Sequence, residues 1–138
     1  MSLQKSCKPH SRNAGNWYSW SASTAGSGTT SSTAKRSICP KNWQLDIDSA
    51  TKSFAYLFRS TYSISGSDYK IRLLPFSYNR SGYYDYNTIG SREESARYWT
   101  GVAYNSTSAY YFSYSNTNFT LKDGMSKGWG HSVRCVAR

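Results

Sequence analysis

The run Ala109-Tyr110-Tyr111-Phe112-Ser113-Tyr114-Ser115 constrains this chain more than any other stretch. It alternates. Tyr110, Phe112 and Tyr114 fall on one side, and Tyr111, Ser113 and Ser115 on the other. That is the period-2 pattern of a strand with one face toward a core. The first face predicts buried scaffold and the second an outward surface. The flanking sequence is also β-like. Tyr98-Trp99-Thr100 opens the region, and Phe119 and Leu121 follow. A glycine-rich loop is expected over 123–130, then a closing strand, Ser132-Val133-Arg134-Cys135-Val136.

Upstream the pattern changes. Asp48 suits a helix N-cap. Ala50, Phe54, Leu57 and Phe58 then recur at helical spacing. Ser65-Gly66-Ser67 is a loop signal, so the helix is expected to end near Thr61. Residues 71–76 read as a strand that Pro75 places at an end or an edge. Residues 77–97 read as loop, with a short turn at Arg92-Glu93-Glu94. At the amino end, residues 1–16 are polar and basic, like a tether. Trp17, Tyr18 and Trp20 are too many aromatics for a disordered linker, whereas 21–33 has the composition of a flexible loop. The expected fold class is α+β, loop-rich, with small antiparallel sheets and one or two helices. Residues 1–36, a tether and a Ser/Thr/Gly-rich segment, are expected to pack on a domain spanning 37–138.

The apolar content is largely aromatic: 13 Tyr, 5 Trp and 5 Phe in 138 residues. Charged residues make up only 17%, against a usual figure of about 25%. Polarity therefore comes from Ser, Thr, Asn and Tyr. That profile fits an extracellular protein better than a cytosolic helical one. It also matches antibody binding surfaces, where Tyr gives rigid contact area and Ser and Asn give adaptable hydrogen bonding. The net charge of +10 suits nucleic acid, anionic glycan or an acidic cell envelope, or solubility alone. The Lys and Arg residues are scattered rather than set in a phosphate-tracking stripe, which disfavours nucleic acid. No apolar run approaches the roughly 18 residues of a membrane span, so no membrane insertion is expected. No signal-peptide core follows Met1, so an exported form is expected to be a mature domain.

Three cysteines are present: Cys7, Cys39 and Cys135. None makes a Cys-x-x-Cys pair, which weakens zinc and thioredoxin-type readings. Cys39 opens the first core-like segment and Cys135 lies in the last strand, so these two are expected as a disulfide. Three buried thiols is the reading for a cytosolic protein.

Several motifs carry a resemblance. Ser37-Ile38-Cys39-Pro40-Lys41-Asn42-Trp43-Gln44-Leu45 resembles the "CPxGWxLP" opening of the Fibrobacter succinogenes major paralogous domain, a bacterial surface-protein family. The closing blocks of that family are similar to Tyr98-Trp99-Thr100-Gly101-Val102-Ala103, then Ala109-Tyr110-Tyr111-Phe112-Ser113-Tyr114, then Gly130-His131-Ser132-Val133-Arg134-Cys135-Val136. The spacing matches without a gap, over roughly 37–138. Asn42 stands where the family has Gly, Asp46 where it has Pro, and Gly101-Val102 where it has Ser-Thr. The resemblance implies a C-type-lectin-like fold, of the kind shared with formylglycine-generating enzymes. It further implies kinship with the variable proteins of diversity-generating retroelements. In those, a reverse transcriptase mutates adenines in the C-terminal coding segment, here 97–138, and the fold displays the altered side chains to ligand. Nothing resembles the paired catalytic cysteines of the formylglycine-generating enzymes.

On that resemblance, Tyr98, Trp99, Ala103, Ala109, Tyr110, Phe112, Tyr114, Lys127, Gly130, Ser132, Val133, Arg134 and Cys135 would be scaffold. Candidate ligand-binding residues are Tyr104, Asn105, Tyr111, Ser113, Ser115, Asn118, Thr120, Asp123, Trp129 and His131, with Trp99 beside them. Trp129, between Gly128 and Gly130, is either a ligand contact or folded back on the core. His131 with Asp123 would be the only acid/base pair, and no nucleophile accompanies it, so no enzyme is expected. Calcium needs clustered oxygen ligands. Asp46 and Asp48 stand apart from Glu93 and Glu94, and the Glu-Pro-Asn and Trp-Asn-Asp motifs of sugar-binding lectins are missing. No metal or cofactor is expected. Asn79, Asn105 and Asn118 each open an Asn-x-Ser/Thr pattern, which arises by chance in such a composition. The expected function is a receptor- or adhesin-type module, extracellular or at the cell surface of a prokaryote. Its expected partner is a protein or glycan ligand on another cell, virus or surface. The competing readings are a polyanion binder and a purely structural adhesin domain.

Overall fold

The computed structural model describes residues 16–28, 30–47, 80–115 and 119–137, without the side chains of 119 and 121–123. The tether, the helix expected from Asp48 to Thr61, the strand over 71–76, Cys7, Asn79 and Asn118 lie outside the described residues. Among the described residues the fold is one short helix and small antiparallel sheets joined by loops. The helix is α1 (Trp20–Ser23), and the strands are β1 (Trp43–Leu45), β2 (Tyr83–Tyr84), β3 (Ile89–Gly90), β4 (Ser95–Ala103), β5 (Ser108–Ser115), β6 (Phe119–Ser126) and β7 (Cys135–Ala137). β4, β5 and β6 form one antiparallel sheet in that order. β1 pairs with β7, and β2 with β3. Among the described residues no helix is long and apolar enough to cross a membrane.

The central strand of the larger sheet is β5, the run on which the sequence is most constrained. Its neighbours are set by register: Tyr98 opposite Phe112, Trp99 opposite Tyr111, Arg97 opposite Ser113. Because β5 is covered on both faces, Tyr111 and Phe112 are both buried. This corrects the expected split into a buried face and an outward one. Tyr114 is buried as expected, while Tyr110 is only half-buried. β4 begins at Ser95, within the stretch expected to be loop. β6 runs to Ser126, so much of the expected glycine-rich loop is strand.

The Ser/Thr-rich segment after Trp20 packs tightly rather than looping freely. Ser19 caps α1 by accepting from the Ala22 N–H. Ser23 and Thr24 are fully buried, and their hydroxyls both donate to the Trp20 carbonyl, at 2.8 and 2.9 Å. A buried hydroxyl costs little once so paired. The Trp20 indole inserts into the core, donating to the Thr100 carbonyl at 2.9 Å. It joins Trp99, Ala103, Ala109 and Tyr111 in one apolar cluster. β4 bulges between Trp99 and Ala103. There Gly101 donates to the Asp46 carbonyl and accepts from the Ala34 N–H, both at 2.7 Å, which ties the sheet to the first third of the chain.

A disulfide joins Cys39 and Cys135, with Cα atoms 5.7 Å apart and a sequence separation of 96. It lies beside the β1–β7 ladder, where Cys135 faces Leu45.

Candidate functional site

The register of the larger sheet sets residues in rows. One row is Trp99, Tyr111 and Asp123. The next is Arg97, Ser113 and Thr120. Trp99 and Tyr111 of the first row form a floor. Trp99 is 1% exposed, Tyr111 4% and His131 0%. His131 stacks on Trp99 at 4.0 Å between ring centroids and meets Tyr111 edge-on at 4.9 Å. The cause is main-chain pairing. The Tyr18 N–H donates to the His131 carbonyl at 2.9 Å and the His131 N–H to the Tyr18 carbonyl at 3.0 Å. That pairing draws the last loop over the sheet face. The Trp99 indole also donates to the Tyr18 carbonyl, at 2.7 Å. Trp99, Tyr111 and His131, three of the expected ligand contacts, are therefore corrected to core.

The second row faces a different environment. Arg97, Ser113 and Thr120 are half-buried. The Arg97 guanidinium carbon lies 3.7 Å from the Tyr83 ring centroid, 5.5 Å from that of Tyr111 and 5.6 Å from that of Trp129. Trp129 in turn stacks on Tyr83, with centroids 5.3 Å apart and planes 14° from parallel. Trp129 thus folds against Tyr83 and Arg97, half-buried at the surface. Cation–π contact and ring stacking each contribute about 0.5–1.5 kcal/mol here.

The β2–β3 hairpin forms the rim. It docks through main-chain bonds between Tyr84 and Gly130, at 2.9 and 2.7 Å. Gly82 opens it at a φ of +68°, where an added Cβ would strike the Gly90 carbonyl. At the tip Asp85 Oδ1 accepts from the Thr88 hydroxyl and main chain, and the hydroxyl bond holds the Asp85 carboxyl below its usual range. Tyr84 and Tyr86 are 40% and 57% exposed. Tyr86 sits at a φ of +67°, a costly conformation for a bulky residue. Its hydroxyl bonds Ser126 Oγ at 2.7 Å, and it passes so close to Gly128 that any Cβ there would collide with it.

Other candidates fall elsewhere. Tyr104 and Asn105 sit at the tip of the β4–β5 hairpin. Tyr104 is 55% exposed and lies edge-on to Tyr110. Asn105 Oδ1 accepts from the Thr107 N–H at 2.9 Å and the Ser108 N–H at 2.7 Å, so its oxygen builds the turn. Lys127 Nζ donates to the Asn105 carbonyl at 2.7 Å, and partial burial lowers its pKa. Ser115 pairs with Ser95 at the far end of the sheet. Tyr83, Tyr84, Tyr86 and Arg97 belong to the site and were not expected there. The only sequence signal for the three tyrosines is the Tyr83-Tyr84-Asp85-Tyr86 run inside an apparent loop, and Arg97 carries none.

Among the described residues no group of His, Cys, Asp and Glu could hold a metal ion. A recess of about 260 Å³, lined in part by Thr33, Lys35, Arg36, Gln44 and Leu45, shares no residue with the cluster. No protein-family model, curated protein or solved structure matches the chain.

Proposed function

We propose that this chain is a non-enzymatic ligand-binding module built on a C-type-lectin-like scaffold, of the kind that diversity-generating retroelements vary. It works outside the cell or at its surface, where a disulfide such as Cys39–Cys135 persists. One observation carries the reading. Aromatic and small polar residues from three separate segments converge on one surface: the β2–β3 hairpin, the β4–β6 sheet and the loop before His131. Such a surface of Tyr, Trp, Ser and Arg has the composition of a recognition face. Small antiparallel sheets, a short helix and abundant loops are compatible with the proposed scaffold.

The test is a displayed library varied at Tyr104, Ser113, Thr120 and Trp129, selected against panels of proteins and glycans. Variants are expected to keep a cooperative melt while changing partner preference. If they keep the melt and never change preference, the binding reading fails. The retroelement part has its own test. The flanking DNA is expected to hold a near copy of the segment coding for 97–138 and a reverse transcriptase gene; without them only the binding module stands.

The net charge of +10 favours a second reading, a polyanion binder. Salt separates the two. Counterion release makes polyanion binding weaken steeply as salt rises, whereas a Tyr-dominated contact changes little.

A further inference from the structure

Arg97 carries a full charge at the centre of the surface just described. Among the described residues no carboxylate pairs with it. Its neighbours are rings: Tyr83 under the guanidinium face at 3.7 Å, with Tyr111 and Trp129 alongside. Rings offset part of the hydration a cation loses, but they accept no hydrogen bond at its N–H edge. Nη1 is in fact buried with no acceptor, and a charged donor left so is costly. The register adds two hydroxyls. Ser113 stands opposite Arg97, and Thr120 opposite Ser113.

The half-buried Arg97 cation, two hydroxyls in the same row and an aromatic wall together suit a carboxylate, which a guanidinium binds by charge-assisted hydrogen bonding. The rim decides what bears that carboxylate. Tyr84 and Tyr86 are large exposed rings beside Ser126, the mixture that protein-binding surfaces favour. The geometry points to an acidic protein partner, one of whose Asp or Glu side chains docks on Arg97. This rests on the cluster being the ligand site and narrows what it binds.

The test uses the full chain and a phage-displayed random peptide library at physiological salt. Enriched peptides are expected to share an Asp or Glu. Changing that residue to Asn or Gln should weaken binding at least about tenfold, as should Arg97→Lys and Arg97→Gln. Lys35→Gln, outside the cluster, should leave binding unchanged. If Arg97→Gln unfolds, the substitutions on the peptide and Arg97→Lys carry the test. Peptides without a shared acid, or indifferent to Arg97→Lys, overturn the Arg97 assignment and leave the surface standing. Binding that survives both Trp129→Ala and Arg97→Lys overturns the surface as well. Enrichment of nothing overturns the acidic-protein assignment; Arg97-dependent binding of polygalacturonate in that case puts the carboxylate on a glycan.

Discussion

His131 is fully enclosed between Trp99 and Tyr111, and neither of its ring nitrogens has a hydrogen-bond partner. Burial pushes its pKa down to about 3, from an ordinary 6.5. The nearby Gly130 main chain pulls the other way without reaching hydrogen-bond geometry, and the Arg97 charge lowers the value further. The neutral ring is therefore the folded form. As pH falls below 6.5 the unfolded chain takes up the proton first, so stability is lost progressively toward about pH 3. The slope approaches about 1.4 kcal/mol per pH unit. Urea melts between pH 7 and 4.5 should show it, ahead of most carboxylate titration. His131→Phe should flatten that slope and raise stability by about 1–3 kcal/mol at pH 7, since an apolar ring leaves no nitrogen unpaired. An unchanged slope in the variant would refute the assignment. Nothing in Gly130-His131-Ser132 foretells this burial, because its cause is a main-chain partner at Tyr18, far away in sequence. Asn42 is the opposite case. It takes a φ of +68°, which Asn tolerates better than most residues.

At the scale of elements, the β4–β5 hairpin shows how one residue serves a turn rather than a ligand. Asn105 satisfies two main-chain donors there and also accepts from the Thr107 hydroxyl. Asn105→Ala should cost about 1–2 kcal/mol in a denaturant melt, in the range of a lost cap, and leave ligand affinity intact. A loss of affinity at unchanged stability would reverse that assignment. The same region shows what periodicity can deliver. Alternation from Ala109 to Ser115 was enough to place a strand and to predict Phe112 and Tyr114 inside. It could not place Tyr111, because alternation says only that two faces differ. Whether both are covered depends on distant segments, here α1 and the 130–132 stretch. The β2–β3 hairpin was equally hidden. Two-residue strands leave too short a pattern to read, and Tyr86 at a positive φ breaks the usual turn signals.

At the scale of the molecule, the fold is closed by the Cys39–Cys135 bridge, which the position of those residues in the chain foretold. By chain-entropy arithmetic a loop of that length contributes about 4–5 kcal/mol, a large share of a typical domain's total of about 5–15 kcal/mol. Reductant, or Cys39→Ser with Cys135→Ser, should lower the denaturation midpoint sharply; an unmoved midpoint would mean the ladder between β1 and β7 suffices. Beside its side-chain contacts, the 126–132 stretch is tied to the rest of the molecule by a run of main-chain bonds. Lys127 reaches Trp20 and Thr107, Gly130 reaches Tyr84, His131 reaches Tyr18, and Ser132 reaches Arg97 and Trp99. Peptide groups are the same whatever residue carries them. The path of this loop is thus indifferent to what position 129 displays, and a foreign side chain could be grafted there without asking the fold to find a new course.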